Sequence, residues 1–244
     1  MLPVFSFDFG ETLATIDHAF FAEKLRVRGV HVSATALRAS APAAWDVYNA
    51  NPIPGDANDG EGHHPWKKLM CRIVELAGAS QPELHVEVIH ELFVDQRERN
   101  LWRQPIDGMI ELVANLKACG ARTAILSNSE GRMAELVEEL GWTRHFDALV
   151  DSGRLAFAKP ERAIFQVTAD ALGAGLADVV HIGDSLRADV EGARSAGARA
   201  IWFASPTSHV ARPARPHEDV EVVETAAELR DLLRRDWRDG LHNI

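Results

Sequence analysis

From Pro105 to Leu233 short apolar runs alternate with stretches whose apolar residues recur every three or four positions, and that alternation leaves few folds open. The runs are Thr123–Leu126, Ala148–Val150, Val179–Ile182, Ala200–Phe203 and Val220–Val223. Between them Ile110, Val113 and Leu116 share one helical face, as do Met133, Leu136, Val137 and Leu140. Further helices are expected from Pro160, over Leu186–Ala196 and over Leu229–Leu233. Asp107 is placed to cap the first of these helices, and Gly120, Gly141 and Gly197 stand where helices stop. Runs this short and this uniformly apolar suit strands buried on both faces. Val4–Phe7 adds one more, central strand. The expected class is therefore α/β, a parallel sheet with helices on both faces.

The stretch from about Ile16 to Arg103 has a different texture, with helical patterns and no convincing strand. Phe20, Phe21 and Leu25 mark one helix, closed by Gly29. Ser33 can cap a second, carrying Leu37, Ala41 and Trp45, with Pro42 expected to bend it. Pro65 opens a third with Leu69, Ile73 and Leu76 inward, and Pro82 a fourth with Leu84, Val88 and Leu92. Asn49–His64 and Ser205–Asp219 read as polar surface loops. The expected organisation is one domain from 1–14 plus 104–244, with 15–103 inserted into it.

With 46% hydrophobic and 25% charged residues, the chain is an ordinary globular protein in composition. Its net charge of -10 argues against a nucleic-acid surface, since phosphate backbones demand a basic footprint. A small anionic substrate remains compatible, because a few local cations can dominate one pocket. Cys71 and Cys119 match no metal spacing and read as buried thiols in a reducing compartment. No secretory signal is visible, and no apolar run approaches the roughly 20 residues that span a bilayer. A cytoplasmic protein without a membrane partner is expected. The sequence specifies no oligomeric state.

Four fragments carry chemistry. Asp8-Phe9-Gly10-Glu11-Thr12 follows the first strand, and Ser127-Asn128 follows Thr123–Leu126. Lys159-Pro160 comes next, then Gly183-Asp184-Ser185 with Asp189. Ligands of open α/β sheets bind at the carboxyl ends of strands, which is where these fragments fall. Taken singly, each has a plain structural reading: a turn or capping Asp, a turn Ser-Asn, a helix-start Asp pair. Lys159 is less ordinary, since the positive end of a helix dipole disfavours a cation there. Taken together they can surround one phosphoryl group. Asp8 can act as a nucleophile forming an aspartyl-phosphate, Ser127 and Asn128 can donate to phosphoryl oxygens, and Lys159 can neutralise transferring charge. Asp8 and Asp184 can supply the carboxylate oxygens that Mg²⁺ prefers.

These fragments, in this order, resemble the four motifs of the haloacid dehalogenase superfamily, and the helical insertion resembles the α-helical cap of its first cap class. Gly183-Asp184-Ser185-Leu186-Arg187-Ala188-Asp189 is the most specific piece. The resemblance covers essentially the whole chain. It implies a Rossmann-like core with a mobile cap and a Mg²⁺-dependent phosphohydrolase acting on a small phosphorylated metabolite. It further implies that Asp8 is nucleophile and metal ligand, and that the Gly10 carbonyl is a second ligand. Thr12 would support the turn of the first motif. Ser127 would bind the phosphoryl group, Asn128 would shape the pocket and Lys159 would bridge nucleophile and phosphate. Asp184 would hold Mg²⁺ directly and Asp189 would orient the metal or its waters.

One position departs from the pattern. Phosphatases of this family carry a second aspartate two residues after the nucleophile, as general acid and base, and here that residue is Gly10. Such assistance is typically worth about 10²–10⁴-fold in rate. His63 or His64 could substitute, and Glu11 is a neighbouring acid whose position aims it differently. Three alternatives stay open: a phosphate-binding protein of low turnover, a haloacid dehalogenase, and a phosphonate-cleaving relative using Lys67 or Lys68. Dehalogenases need no magnesium carboxylate pair, so Gly183–Asp189 argues for phosphate. Both lysines are expected to be solvent-exposed.

Overall fold

The structure, a computed structural model, describes residues 3–50, 65–80, 82–95, 99–204, 219–241 and 244. Its strands are β1 (Val4–Phe7), β2 (Ala14–Ile16), β3 (Trp102–Pro105), β4 (Thr123–Ser127), β5 (Ala148–Asp151), β6 (Val179–Gly183), β7 (Arg199–Phe203) and β8 (Glu221–Val223). Its helices are α1 (His18–Arg26), α2 (Ala34–Ala50), α3 (Pro65–Leu76), α4 (Pro82–Asp95), α5 (Met109–Ala118), α6 (Met133–Glu139), α7 (Arg162–Ala171), α8 (Gly192–Ala196), α9 (Ala226–Asp236) and α10 (Arg238–Leu241). The described residues fall into two compact units, one from Met1–Thr15, Gln104–Ser208 and Arg212–Ile244, the other from Ile16–Arg103.

The first unit is the α/β fold that the alternation predicts, a six-stranded sheet in the order β5-β4-β1-β6-β7-β8. Every adjacent pair is parallel. Strand β1 is buried throughout. Because side chains alternate along a strand, Val4 and Ser6 share one face while Phe5 and Phe7 take the other. Val4 joins a core with Ala124, Leu126, Ile164, Phe165, Val190 and Trp202. Phe5 meets Trp237 edge-on, with ring centroids 5.8 Å apart.

Three local expectations change here. Gly108, with φ of 74°, occupies the cap position of α5 and no side chain caps it, so Asp107 lies outside the helix start. Helix α7 begins at Arg162 rather than Pro160. The expected helix Leu186–Ala196 is a π-helical segment, Leu186–Glu191, followed by α8. In its wide turn the Ser185 carbonyl accepts from both Asp189 N (2.9 Å) and Val190 N (3.2 Å). Such turns recur at functional sites.

The second unit is helical, as expected, around Phe21, Leu25, Leu37, Met70, Ile73, Ile89 and Leu92. Asp17 caps α1 through Phe20 N at 2.9 Å, and Ser33 caps α2 through Ala36 N at 3.0 Å. Pro65 and Pro82 open α3 and α4, and Pro42 sits inside α2. Strands β2 and β3, which reach into the supposedly strandless region, pair with each other. At three and four residues they are too short to show a period. Leu76 is 39% exposed, not inward.

Lys67 also departs from expectation. It is buried, its Nζ lies 2.9 Å from His90 Nδ1 and it sits over the Phe93 ring. Lys68 is exposed as expected. Both cysteines are free and half-buried, and burial pushes the Cys71 thiol up to about 11, so it is unreactive near neutrality. His63 and His64, most of the Asn49–His64 loop, and all of Ser205–Asp219 but its last residue lie outside the described residues. Among the described residues, no helix is long and apolar enough to cross a membrane.

Candidate active site

Strand β1 lies between β4 and β6, and the chain passes from it to β4 and β5 on one side before returning to β6, β7 and β8 on the other. A crevice opens at the carboxyl end of a sheet where strand order reverses in this way. Asp8 is the first residue beyond β1 and its N–H donates to Ile182 O at 2.8 Å. Ser127 is the last residue of β4, and Gly183 the last of β6, so Asp184 follows directly. Parallel register thus brings three of the four fragments to one edge.

Lys159 arrives from the loop before α7 and ties the fragments together. Its Nζ donates to Asp8 Oδ1 at 2.5 Å, Asp189 Oδ1 at 2.6 Å and Leu126 O at 3.0 Å. An ammonium has three N–H donors, so each one is used and the group has no rotational freedom left. Asn128 secures the backbone behind it: its Nδ2 donates to Lys159 O at 3.0 Å, and its Oδ1 accepts from Lys159 N at 2.9 Å. Asn128 thus clamps the lysine's peptide at two points.

Asp189 is 1% exposed and heavily engaged. Besides Lys159, its Oδ1 accepts from His181 Nε2 at 3.0 Å, and its Oδ2 accepts from Ser185 N at 2.9 Å. A Cβ on Gly183 would overlap the Asp189 carboxylate, so only glycine lets that side chain fold back against β6. Trp202 Nε1 on β7 donates to Asp184 O at 2.8 Å and anchors the same segment. Nothing in the sequence reading singled out His181. A histidine inside a buried apolar strand was the signal available, together with Ser6, the polar residue of β1.

The turn after β1 is held by backbone bonds: Leu13 N and Ala14 N both donate to Phe9 O, and Glu11 N donates to Ala14 O. Gly10 forms a bridge with Ala14. Thr12 is fully buried, and its Oγ1 has no hydrogen-bond partner among the described residues, so the hydroxyl supplies none of the turn's bonds. Glu11 has φ of 53°, a conformation that L side chains rarely adopt. Its Oε1 accepts from Thr15 Oγ1 at 2.9 Å, and its Oε2 is buried without a partner among the described residues. Burial, with a smaller contribution from the Asp8 charge, pushes this carboxyl up to about 7.

The loop after β4 is held by Asp151 at the end of β5. Its Oδ1 accepts from Gly131 N at 3.1 Å and Gly153 N at 2.9 Å, and its Oδ2 from Met133 N at 3.0 Å. Ser127, 5% exposed, is thereby fixed at the base of an ordered loop.

One oxygen from each of Asp8, Asp184 and Asp189 lies within 4.8 Å of the others. Three carboxylates against one ammonium leave an excess of about two negative charges, and buried charge demands compensation. The titration behaviour reflects this competition. Burial raises the Asp8 pKa, which the Lys159 charge only partly offsets. Burial, then the Asp8, Asp189 and Glu11 charges, holds Asp184 well above its usual range. Burial would also raise Asp189, but the Lys159 charge and the His181 hydrogen bond keep it well below. Burial would lower Lys159, yet Asp189 and Asp8 hold it above its ordinary value. A hard dication with oxygen ligands fits this donor set. Three of the lone-pair sites of Asp189 are already taken by protein donors, so Asp8 and Asp184 are the better candidates for direct ligands.

A family profile described as haloacid dehalogenase-like hydrolase matches residues 2–197. Haloacid dehalogenase-like hydrolase domain-containing protein 3 from Bos taurus is 26% identical over 209 residues, covering 84% of this chain and 83% of that protein. A phosphoglycolate phosphatase from Mesorhizobium japonicum is 32% identical over 149 residues, covering 57% and 65%. Among solved structures, YfnB from Bacillus subtilis, bound to magnesium, superposes with a TM-score of 0.67 at 17% identity, covering 95% and 98%, which speaks to the fold. The family profile spans most of the chain and includes all four fragments, so this protein belongs to the haloacid dehalogenase-like hydrolases.

Proposed function

We propose that this hydrolase removes the phosphoryl group of a small phosphorylated metabolite by transferring it to Asp8. One observation carries the reading: Lys159 bridges Asp8 and Asp189, while carboxylate oxygens of Asp8, Asp184 and Asp189 gather within 4.8 Å. Residues 1–14 with 104–244 would form the catalytic core, and 15–103 the inserted cap. The phosphatase activity named for the Mesorhizobium relative supports a phosphate ester as substrate.

In the first step one oxygen of Asp8 attacks phosphorus and the bond to the ester oxygen breaks, giving an aspartyl-phosphate and an alkoxide that takes a proton from water to leave as the alcohol. Lys159 orients this attack, since its bond to Oδ1 fixes the carboxylate plane. Ser127 would hydrogen-bond a phosphoryl oxygen from the end of β4. Mg²⁺, held by the Asp8 and Asp184 carboxylates and the Gly10 carbonyl with Asp189 orienting its waters, would neutralise charge on the phosphoryl oxygens. Water then attacks phosphorus and releases inorganic phosphate, restoring Asp8. The test is a panel of phosphate esters with and without Mg²⁺. Asp8→Asn is expected to lower hydrolysis by at least about a thousandfold with the fold intact. Halide release from 2-haloacids in the presence of chelator would overturn the reading.

A second reading has Gly10 in its favour. Without a side chain there, the leaving group lacks its usual proton donor, which suits a phosphate-binding protein of low turnover. Mg²⁺-dependent phosphate binding without hydrolysis of any ester on the panel would select it.

A further inference from the structure

Behind the fragments lies a buried polar chain that the proposed chemistry leaves without a task. His181 is fully buried in β6, and Ser6 is fully buried directly opposite it in β1. Ser6 Oγ lies 2.8 Å from His181 Nδ1, and His181 Nε2 lies 3.0 Å from Asp189 Oδ1. The ring is wedged by Phe165, edge-on at 5.4 Å between centroids. A carboxylate bonded to an ammonium only accepts, so Nε2 must carry a proton. Asp189 Oδ1 therefore takes two donors, His181 from the sheet and Lys159 from the loop.

We propose that His181 is a positioning residue: by holding Asp189 Oδ1 from behind, it sets where the Lys159 ammonium meets Asp8. The inference rests on the phosphohydrolase reading for its effect on rate. The physical reason is the saturation of Lys159. With its three donors spent on Asp8, Asp189 and Leu126, its position is determined by theirs. Asp8 and Leu126 belong to strand ends and are fixed by the sheet. Asp189 belongs to the π-helical segment and, apart from Lys159 itself, is held among the described residues by the Ser185 N–H on one oxygen and by His181 on the other. Without His181, the Asp189 carboxylate can rotate toward Lys159 and draw the ammonium off Asp8. Buried polar networks of this kind are costly when half satisfied, so their members act as a unit.

The experiment compares His181→Phe, His181→Gln and Ser6→Ala in the full chain. Gln places an N–H donor near the position of Nε2, whereas Phe fills the space without one. His181→Phe is expected to lower kcat about 10- to 100-fold, as removal of outer-shell partners typically does, with KM within about twofold. His181→Gln should restore most of the rate, and Ser6→Ala should show a smaller loss in kcat alone. A second readout needs no substrate: the ¹⁵N signal of the Lys159 ammonium should shift in the Phe variant and return in the Gln variant. A folded His181→Phe protein with wild-type kcat and an unmoved Lys159 signal would overturn the proposal, as would equal losses in the Phe and Gln variants that track melting temperature. If the wild-type chain hydrolyses no phosphate ester, the phosphohydrolase reading fails by itself, and the lysine signal still decides the role of His181.

Discussion

Glu11 holds an uncomfortable place, with a positive φ, a buried carboxyl and one oxygen without a partner among the described residues. Its folded-state pKa of about 7 lies above the ordinary 4.5, so the fold favours the protonated form. Its contribution is therefore most favourable below about pH 4.5 and is lost as pH rises toward 7, by roughly 3 kcal/mol. With chelator present, wild-type stability should fall across that window more steeply than that of Glu11→Gln, as read by thermal melts. Asp8 and Asp184 are shifted in the same direction and remain in both proteins, so the difference between the two curves isolates Glu11. Parallel curves would show that its carboxyl titrates normally. At the neighbouring position, Gly10→Asp should raise kcat for unactivated phosphomonoesters by about 10-fold or more, restoring acid–base assistance. Unchanged rates would mean that protonation does not limit turnover.

At the level of elements, the loop between β4 and α6 is held less by its own sequence than by the end of β5. Asp151 accepts three backbone N–H bonds from residues on both sides of the gap. Asp151→Ala would strand those donors, at a cost of about 2–4 kcal/mol. For a chain of this length that predicts a drop in melting temperature of roughly 5–15 °C. A drop of under about 2 °C would show that the loop is held by other means. Fixing this loop matters for the site because Ser127 lies at its base and Asn128, the clamp on Lys159, is its next residue. The π-helical segment has a comparable role on the other side. Its wide turn, together with the absence of a Cβ at Gly183, allows the Asp189 carboxylate to lie back against β6.

For the whole molecule, the proposed Mg²⁺ site at the sheet edge, where negative charge is in excess, would couple folding to cation binding. Mg²⁺ at about 100 times its Kd should add roughly 3 kcal/mol of stability. The melting temperature should then rise by roughly 5–10 °C. Asp184→Asn should abolish most of that rise while increasing stability without metal, since one half-buried carboxyl with a raised pKa is gone. An equal Mg²⁺ response in the variant would move the cation away from these residues.

The period of the apolar residues determined the parallel sheet, and three of the four fragments were legible because each follows a strand whose direction is dictated by that sheet; Lys159, in the loop before α7, was marked only by its place at an expected helix start. Helices α1 to α4 were equally plain from their Pro, Ser and Gly punctuation. Short strands β2 and β3 escaped because pairing with each other, rather than any internal period, makes them strands. The clustering of Asp8, Lys159, Asp184 and Asp189 could be expected only through resemblance; their separations in sequence carry no distance. His181 and Ser6 look like blemishes in two apolar strands until parallel register sets one beside the other. Burial of Lys67 depends on contacts with a different helix, which helical spacing within its own does not encode. Local periodicity is written in neighbouring residues, whereas charge compensation, cross-strand pairing and burial arise between residues far apart in the chain, and only the folded structure brings those together.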